Sequence, residues 1–536
     1  MWHTIAATSL SSWCSFAPSS LYNPPGLFYA SSSPHPAPFI SASLAGIEAM
    51  ARFSSRAFPV GAAIFVCLLL AVADLAASSN QGSQEEAPRC RFRRLSANRP
   101  FRRIQSEGGY TELWNENDKQ FKCAGVAAMR NTLRPQCLSL PNYSPQPRLV
   151  YIQKGQGLIG MSYSGCPETF HSGEEYSYSR RTEEREGPRE EEHERSQKRD
   201  QHQKIHRIRQ GDIVAFPPGV THWCYNDGNE DLVAFSITDV NSQWNQIGPT
   251  PRSFYLAGGP PKESETMEPA RDIHAVNMIR PFDAELLATA FNVPAEIVRT
   301  MQREDERGLI VRVKKGSMEM MRPTEEERER RERDGRREEE EEVEEGRRKR
   351  DNGVEEIYCS SRIHHYLDNP GAADVYSRQA GWLHSIDVFK LPILRYLGLS
   401  AEKTNLRPNA ISSPHWNNNF HTIALMTRGE GQVQVVDGEG RSLFNDRVRE
   451  GDVLVIPQNF AIVSRAGNNG VEWVAFKTSA TPTRSPIAGK ASVFMGLPAQ
   501  VIANAYRLSL EQAQQLKYNR EDQSMLFPSG RASTAD

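Results

Sequence analysis

Short apolar runs punctuated by Gly and Pro recur along the middle of this chain in a fixed order, and the order occurs twice. "LVYIQKGQGLIG" (Leu149–Gly160) matches "IALMTRGEGQVQVV" (Ile423–Val436): an apolar strand, a G-x-G turn and a second strand. "RQGDIVAFPPGV" (Arg209–Val220) matches "REGDVLVIPQNF" (Arg449–Phe460), and "DLVAFSI" (Asp231–Ile237) matches "EWVAFKT" (Glu472–Thr478). Runs of this length, bounded by turn formers, predict β-strands. The period then changes. In "FDAELLATAFNVPAEIVRTMQ" (Phe282–Gln302) and its match "LPAQVIANAYRLSLEQAQQLK" (Leu497–Lys517), apolar residues recur at helical spacing. Helices are expected at Ala284–Ala290 and Ala295–Met301, with Pro294 placed to open the second. One module of strands followed by helices is therefore used twice. Strands first and helices last predict a β-barrel or jelly roll with a helical arm.

Two stretches lack this pattern. Residues 171–204 and 323–351 are almost wholly charged or polar, too poor in apolar side chains to offset the entropy lost on ordering, so disorder is expected in both. At the other end, Arg52 and Arg56 precede the apolar run Val60–Ala73 and the small residues "LAASSN". That is the layout of a signal peptide, its core too short to span a bilayer. Translation from Met50 with cleavage near residues 76–79 is expected; the alternative is a genuine upstream extension.

Composition narrows the function. The formal net charge of −2 favours neither nucleic acid nor an anionic membrane, and no membrane association is expected after signal removal. Of 64 basic residues 50 are Arg, which makes the chain rich in nitrogen. The charged segment "GPREEEHERSQKR" balances its own signs and carries no aromatics, so it reads as a solvated loop. Six cysteines follow the leader: Cys90, Cys123, Cys137, Cys166, Cys224 and Cys359. A secreted chain permits disulfides, but six cysteines allow fifteen pairings and spacing cannot choose among them. The absence of a C-x-x-C pair argues against structural zinc and thioredoxin-type chemistry.

"GDIVAFPPGVTHWCYN" fits the second cupin motif, G-x5-P-x-G-x2-H-x3-N, with Gly211, Pro217, Gly219, His222 and Asn226 at the five defined positions. Gly and Pro set a sharp turn that aims His222 into the barrel. With "EGGYTELWNENDKQFKCAGVA" (Glu107–Ala127), "FYLAG" (Phe254–Gly258), "NGVEE" (Asn352–Glu356) and "VIPQNF" (Val455–Phe460), the chain from about Ser79 onward resembles the 11S globulins, legumin-type seed storage proteins of the cupin superfamily. The resemblance implies a mainly β bicupin: two jelly-roll β-barrels, each followed by a small α-helical arm, with disordered charged insertions. It implies a trimeric proform, a hexameric mature protein and delivery through the secretory pathway to the protein storage vacuole of the seed. Many members are food allergens.

The same resemblance implies a cut by a vacuolar asparaginyl endopeptidase between Asn352 and Gly353, an exposed pair beside a polar run. The expected organisation is a leader (1–78), an acidic chain with the first module and arm (79–322), a charged linker (323–352), a basic chain with the second module and arm (353–518) and a tail (519–536). By resemblance Cys90 pairs with Cys123, and Cys166 pairs with Cys359 across the cut. Cys137 and Cys224 are left over, Cys224 being expected as a buried free thiol.

Many cupins hold a metal through H-x-H, a Glu and a later His, and such a site needs open positions for catalysis. Here the set is broken. In the first module the H-x-H positions fall near Asn142 and Ser144, the Glu position falls in "RLVYI", and His222 stands alone. In the second, His415 and Asn417 follow Pro414, His421 is nearby, and Ile462 matches His222. His222, His415 and His421 therefore read as vestigial, with no cofactor and no metal expected. No G-x-S-x-G elbow is present. The sequon Asn142-Tyr143-Ser144 precedes Pro145 near a barrel strand, and glycosylation there is not expected. Three functions compete: a non-enzymatic storage protein, which the resemblance favours, a metal-dependent cupin enzyme, and a small-ligand carrier using the barrel interior.

Overall fold

The computed structural model describes residues 90–166, 170–171, 201–259, 276–303, 305–314, 317–318, 359, 361–523 and 525–528. The leader, most of both charged insertions and the Asn352–Gly353 pair lie outside the described residues. Among the described residues no helix is long and apolar enough to cross a membrane.

The first module is two antiparallel sheets. One runs β1 (Arg102–Ser106), β2 (Gly109–Leu113), β3 (Val126–Leu133), β12 (Leu232–Asp239), β5 (Arg148–Lys154), β10 (Asp212–Phe216) and β15 (His364–Tyr366). The other joins β13 (Phe254–Tyr255), β4 (Cys137–Tyr143), β11 (Thr221–Tyr225), β6 (Gln156–Ser162) and β9 (Ile205–Arg209), with β14 (Ile310–Arg312) also on β4. In the second module the equivalents of these sheets are fused. The chain segments that are split in module 1 run on as β21 (Thr422–Val436) and β24 (Ala461–Lys477), long bulged strands that pair with each other along most of their length.

The G-x-G segment is thus not the expected turn. At Gly155 (φ +80°) and Gly429 (φ +72°) the chain crosses from one sheet to the other without reversing. A Cβ at Gly155 would stand 2.6 Å from Asp231 O, and one at Gly429 2.3 Å from Gly470 O, so these positions need both the left-handed backbone and the missing side chain.

Apolar runs such as β5 are buried on both faces, for two different reasons. Val150, Ile152, Val214 and Phe216 face the barrel interior. Leu149, Tyr151, Ile213 and Phe235 face away from it and share one core with Ile423, Leu425, Val474 and Phe476 of the second module. Phe235 and Phe476 meet there at 5.6 Å between ring centroids. Each fully buried side chain of this kind contributes about 1.5–3 kcal/mol. A polar bolt crosses the same joint: Lys403 Nζ donates to Tyr151 Oη at 2.9 Å and pairs with Asp368.

The arms form as the 3.6-residue period predicts. They are α1 (Ala284–Phe291) with α2 (Ala295–Met301), and α3 (Ala499–Tyr506) with α4 (Leu510–Tyr518). Asp283 caps α1 by accepting from Glu285 N and Leu286 N, Pro294 is the N-cap of α2, and Ser509 with Gln512 makes a capping box on α4. The first charged insertion has an ordered neck, where β7 (Phe170–His171) pairs with β8 (Gln201–His202) and Gln203 exchanges hydrogen bonds with Tyr163.

The modules also exchange segments. Residues before β1 belong to the second barrel: Phe92 and Leu95 are in its core, and Leu95 N donates to Leu443 O. Residues after the linker belong to the first: β15 extends its sheet by pairing with β10, and Ile363 and Leu367 are fully buried. Gly211 (φ +93°) permits this, because a Cβ there would lie 2.7 Å from Tyr366 Cε2.

Candidate functional site

The strand register places each vestigial ligand position. In module 1 the turn Pro217–Gly219 delivers β11, and His222 lies across from Asn142 on β4. In module 2, β20 (His415–Asn417) runs beside β24 and His415 lies across from Ile462. Each barrel therefore keeps one imidazole of the pair, and it is a different one. The αL position of the turn is retained as Gly219 in one and Asn459 in the other.

His222 lines a cavity of about 80 Å³. Its Nδ1 is 3.3 Å from Val220 O, to which it donates, and its ring packs on Phe216 at 4.4 Å. Burial, and then the charge of Arg148, push its pKa down to about 3, so the ring is neutral. Arg148 occupies the place of the ligand carboxylate: it pairs across β5–β10 with Phe216 as Thr422 pairs with Ile456. A guanidinium beside a single imidazole repels a divalent cation, and the donor set does not fit one.

In module 2 His415 lines a cavity of about 60 Å³, its Nδ1 donating to Ser413 O at 2.8 Å. Burial lowers its pKa. The same cavity holds Glu402, Lys477 and Arg484, with Lys477 Nζ 2.8 Å from Glu402 Oε2 and Arg484 on the same carboxylate. Two cations on one carboxylate again disfavour a metal. His421 does not join His415 in this cavity. Strand alternation turns Thr422 into the barrel and His421 out of it, where its ring nitrogen and the sulfurs of Cys90 and Cys123 lie within 4.8 Å of one another. His421 Nδ1 accepts from Gln458 N at 3.1 Å.

Asn226, the last motif position, is structural. Its Nδ2 donates to Leu133 O and Glu230 O at 2.8 Å, and its Oδ1 accepts from Gly228 N. Asn142 is buried and its Nδ2 is spent on Leu140 O, so the folded sequon is closed to a glycan. Disulfides join Cys90 to Cys123 and Cys166 to Cys359, the second spanning 193 residues. Cys137 and Cys224 do not pair with each other. Cys224 is half-buried where full burial was expected, with its thiol pushed up to about 12 by desolvation.

Sequence reasoning missed the charged residues of the barrel interiors: Arg148, Glu402, Lys477 and Arg484. The signal was a charge inside an otherwise apolar or small-residue strand for Arg148 in "RLVYI", Glu402 beside Lys403 in "SAEKTNL" and Lys477 in "VAFK", while Arg484 carried no such mark.

Two such barrels in one chain define a bicupin, and the cupin family model matches residues 95–261 and 365–514. The 11S globulin seed storage protein 2 of Sesamum indicum is 51% identical over 468 residues, covering 87% of this chain and 98% of that protein. The 11S globulin Ana o 2.0101 of Anacardium occidentale is 41% identical, covering 86% and 97%. Procruciferin, the 11S globulin of Brassica napus, superposes with a TM-score of 0.68 at 34% identity, covering 84% of this chain and all of that one. The chain belongs to the 11S globulin seed storage proteins, a non-enzymatic branch of the cupins.

Proposed function

We propose that this protein is a nitrogen and carbon reservoir of the seed, delivered through the secretory pathway to the protein storage vacuole. The observation that carries the reading is full-length similarity to storage globulins in a chain whose two ligand sets are both broken. The abundance of Arg, with four nitrogens per residue, suits that role.

The proform self-associates through its arms. Leu286, Phe291 and Ile297 on the first arm and Val501, Tyr506 and Leu516 on the second are large apolar side chains left exposed in the single subunit, as at an uncovered interface. Trimers form through these arms. A vacuolar asparaginyl endopeptidase then cuts Asn352–Gly353, the charged linker swings off one face of the trimer, and two such faces stack as a hexamer. The Cys166–Cys359 bridge links the acidic and basic chains after the cut. Before it, closing so long a loop adds about 4–5 kcal/mol in the chain-entropy model.

The test is a seed extract run on reducing and non-reducing gels beside the Asn352→Ala variant. The expected result is one abundant band that reduction splits in two, and a variant that stays uncut and trimeric. A variant that still forms hexamers would remove the cut as the assembly switch; a scarce protein would remove storage.

A further inference from the structure

The register aligns the two barrels position by position and exposes one missing partner. In module 2 Lys477 stands across from Thr422, and Glu402 neutralises it. The same cross-strand pair in module 1 is Thr238 and Arg148, so a cation again enters the barrel there, donated by the opposite strand. Glu402 lies across from Ala475, two residues before Lys477. The matching position in module 1, across from Ser236, is Met129. The first barrel keeps the cation and lacks its carboxylate.

Arg148 is only 7% exposed. Its Nη2 donates to Ser253 Oγ and Arg252 O, and its Nε has no partner. Among the described residues no carboxylate forms an ion pair with it. A buried guanidinium left this way is unfavourable unless an anion meets it. A cavity of about 430 Å³ opens against Arg148 and is large enough to admit one. Arg252, whose Nε is also without a partner, and Tyr255 line the same space, with Phe101, Leu113 and Met129 as its apolar wall. Glu116 lines it too but makes no ion pair with Arg148.

We propose that this cavity binds a small organic carboxylate, which accepts from the Arg148 guanidinium in the role Glu402 fills in module 2, and lays its apolar body along Leu113 and Met129. A hydrogen bond between guanidinium and carboxylate is charge-assisted, and the apolar wall favours an organic anion over an inorganic one. Such binding adds to storage and does not depend on it.

The test is isothermal titration of the purified proform with benzoate and hexanoate, with benzamide and inorganic phosphate as controls. The expected result is one carboxylate per subunit, with benzamide and phosphate weaker by about tenfold or more. Met129→Glu supplies the carboxylate internally: it should raise the thermal midpoint of the unliganded trimer and abolish benzoate binding. Arg148→Met should also abolish binding; if that variant fails to fold, Met129→Glu decides alone. Three outcomes would overturn the assignment: neither carboxylate binding in the millimolar range, benzamide or phosphate binding as well as benzoate, or Met129→Glu leaving binding unchanged.

Discussion

His222 is held in the first barrel by packing. Its neutral ring fills the space between Phe216 and the barrel wall and shares that wall with Arg148. Its folded pKa is about 3, against about 6.5 in an unfolded chain, so the unfolded state takes up the proton first. The contribution of a neutral His222 is therefore complete above pH 6.5 and is lost as pH falls towards 3. His222→Phe should flatten the acid limb of the denaturant midpoint, by up to about 3 kcal/mol at pH 4 relative to neutrality. An unchanged acid limb would show that His222 is not the group that titrates. The five motif residues were legible because each serves a backbone turn or a fixed register. Arg148 was not. Its strand is buried on both faces, so alternation in "RLVYI" cannot say which residues face the barrel and which the other module.

Among the elements, the helices of the arms were the clearest in the sequence, since apolar period, proline start and cap agree there. Strand content was also legible from the Gly/Pro punctuation. What could not be read was where β15 and the segment before β1 would dock, because a short strand carries no mark of its partner. If the chain is cut as proposed, those two docks join the halves: Phe92 and Leu95 sit in the second barrel, and β15 sits on the first. Cut and reduced protein should therefore elute as one species in native gel filtration and divide only in denaturant. Halves that separate on reduction alone would show that the Cys166–Cys359 bridge, not the exchange, keeps them together.

On the scale of the whole molecule, two barrels share one apolar joint, and each carries an arm whose outer side chains have nothing to cover them within the subunit. Leu286 is 73% exposed. Replacing it by Glu should change subunit stability by no more than about 0.5 kcal/mol. It should nonetheless shift the proform from trimer towards monomer in sedimentation, with an unaltered circular dichroism spectrum. A Leu286→Glu proform that remains fully trimeric would place the interface elsewhere.

The exchanged segments also set a timetable for biosynthesis. When the first barrel leaves the ribosome, the free edge of β10 has to wait for residues 364–366, which lie beyond the whole charged linker. Residues 90–98 wait longer still, since Asn98 bridges to Val453 on β23 (Val453–Ile456). The first barrel cannot be finished before about two thirds of the polypeptide has been made, and the second before nearly all of it has. A newborn chain therefore presents an open sheet edge, of the kind that invites pairing with its neighbours. The proposed cut belongs after that interval, because a chain parted early would leave each half without the strand or strap that the other supplies.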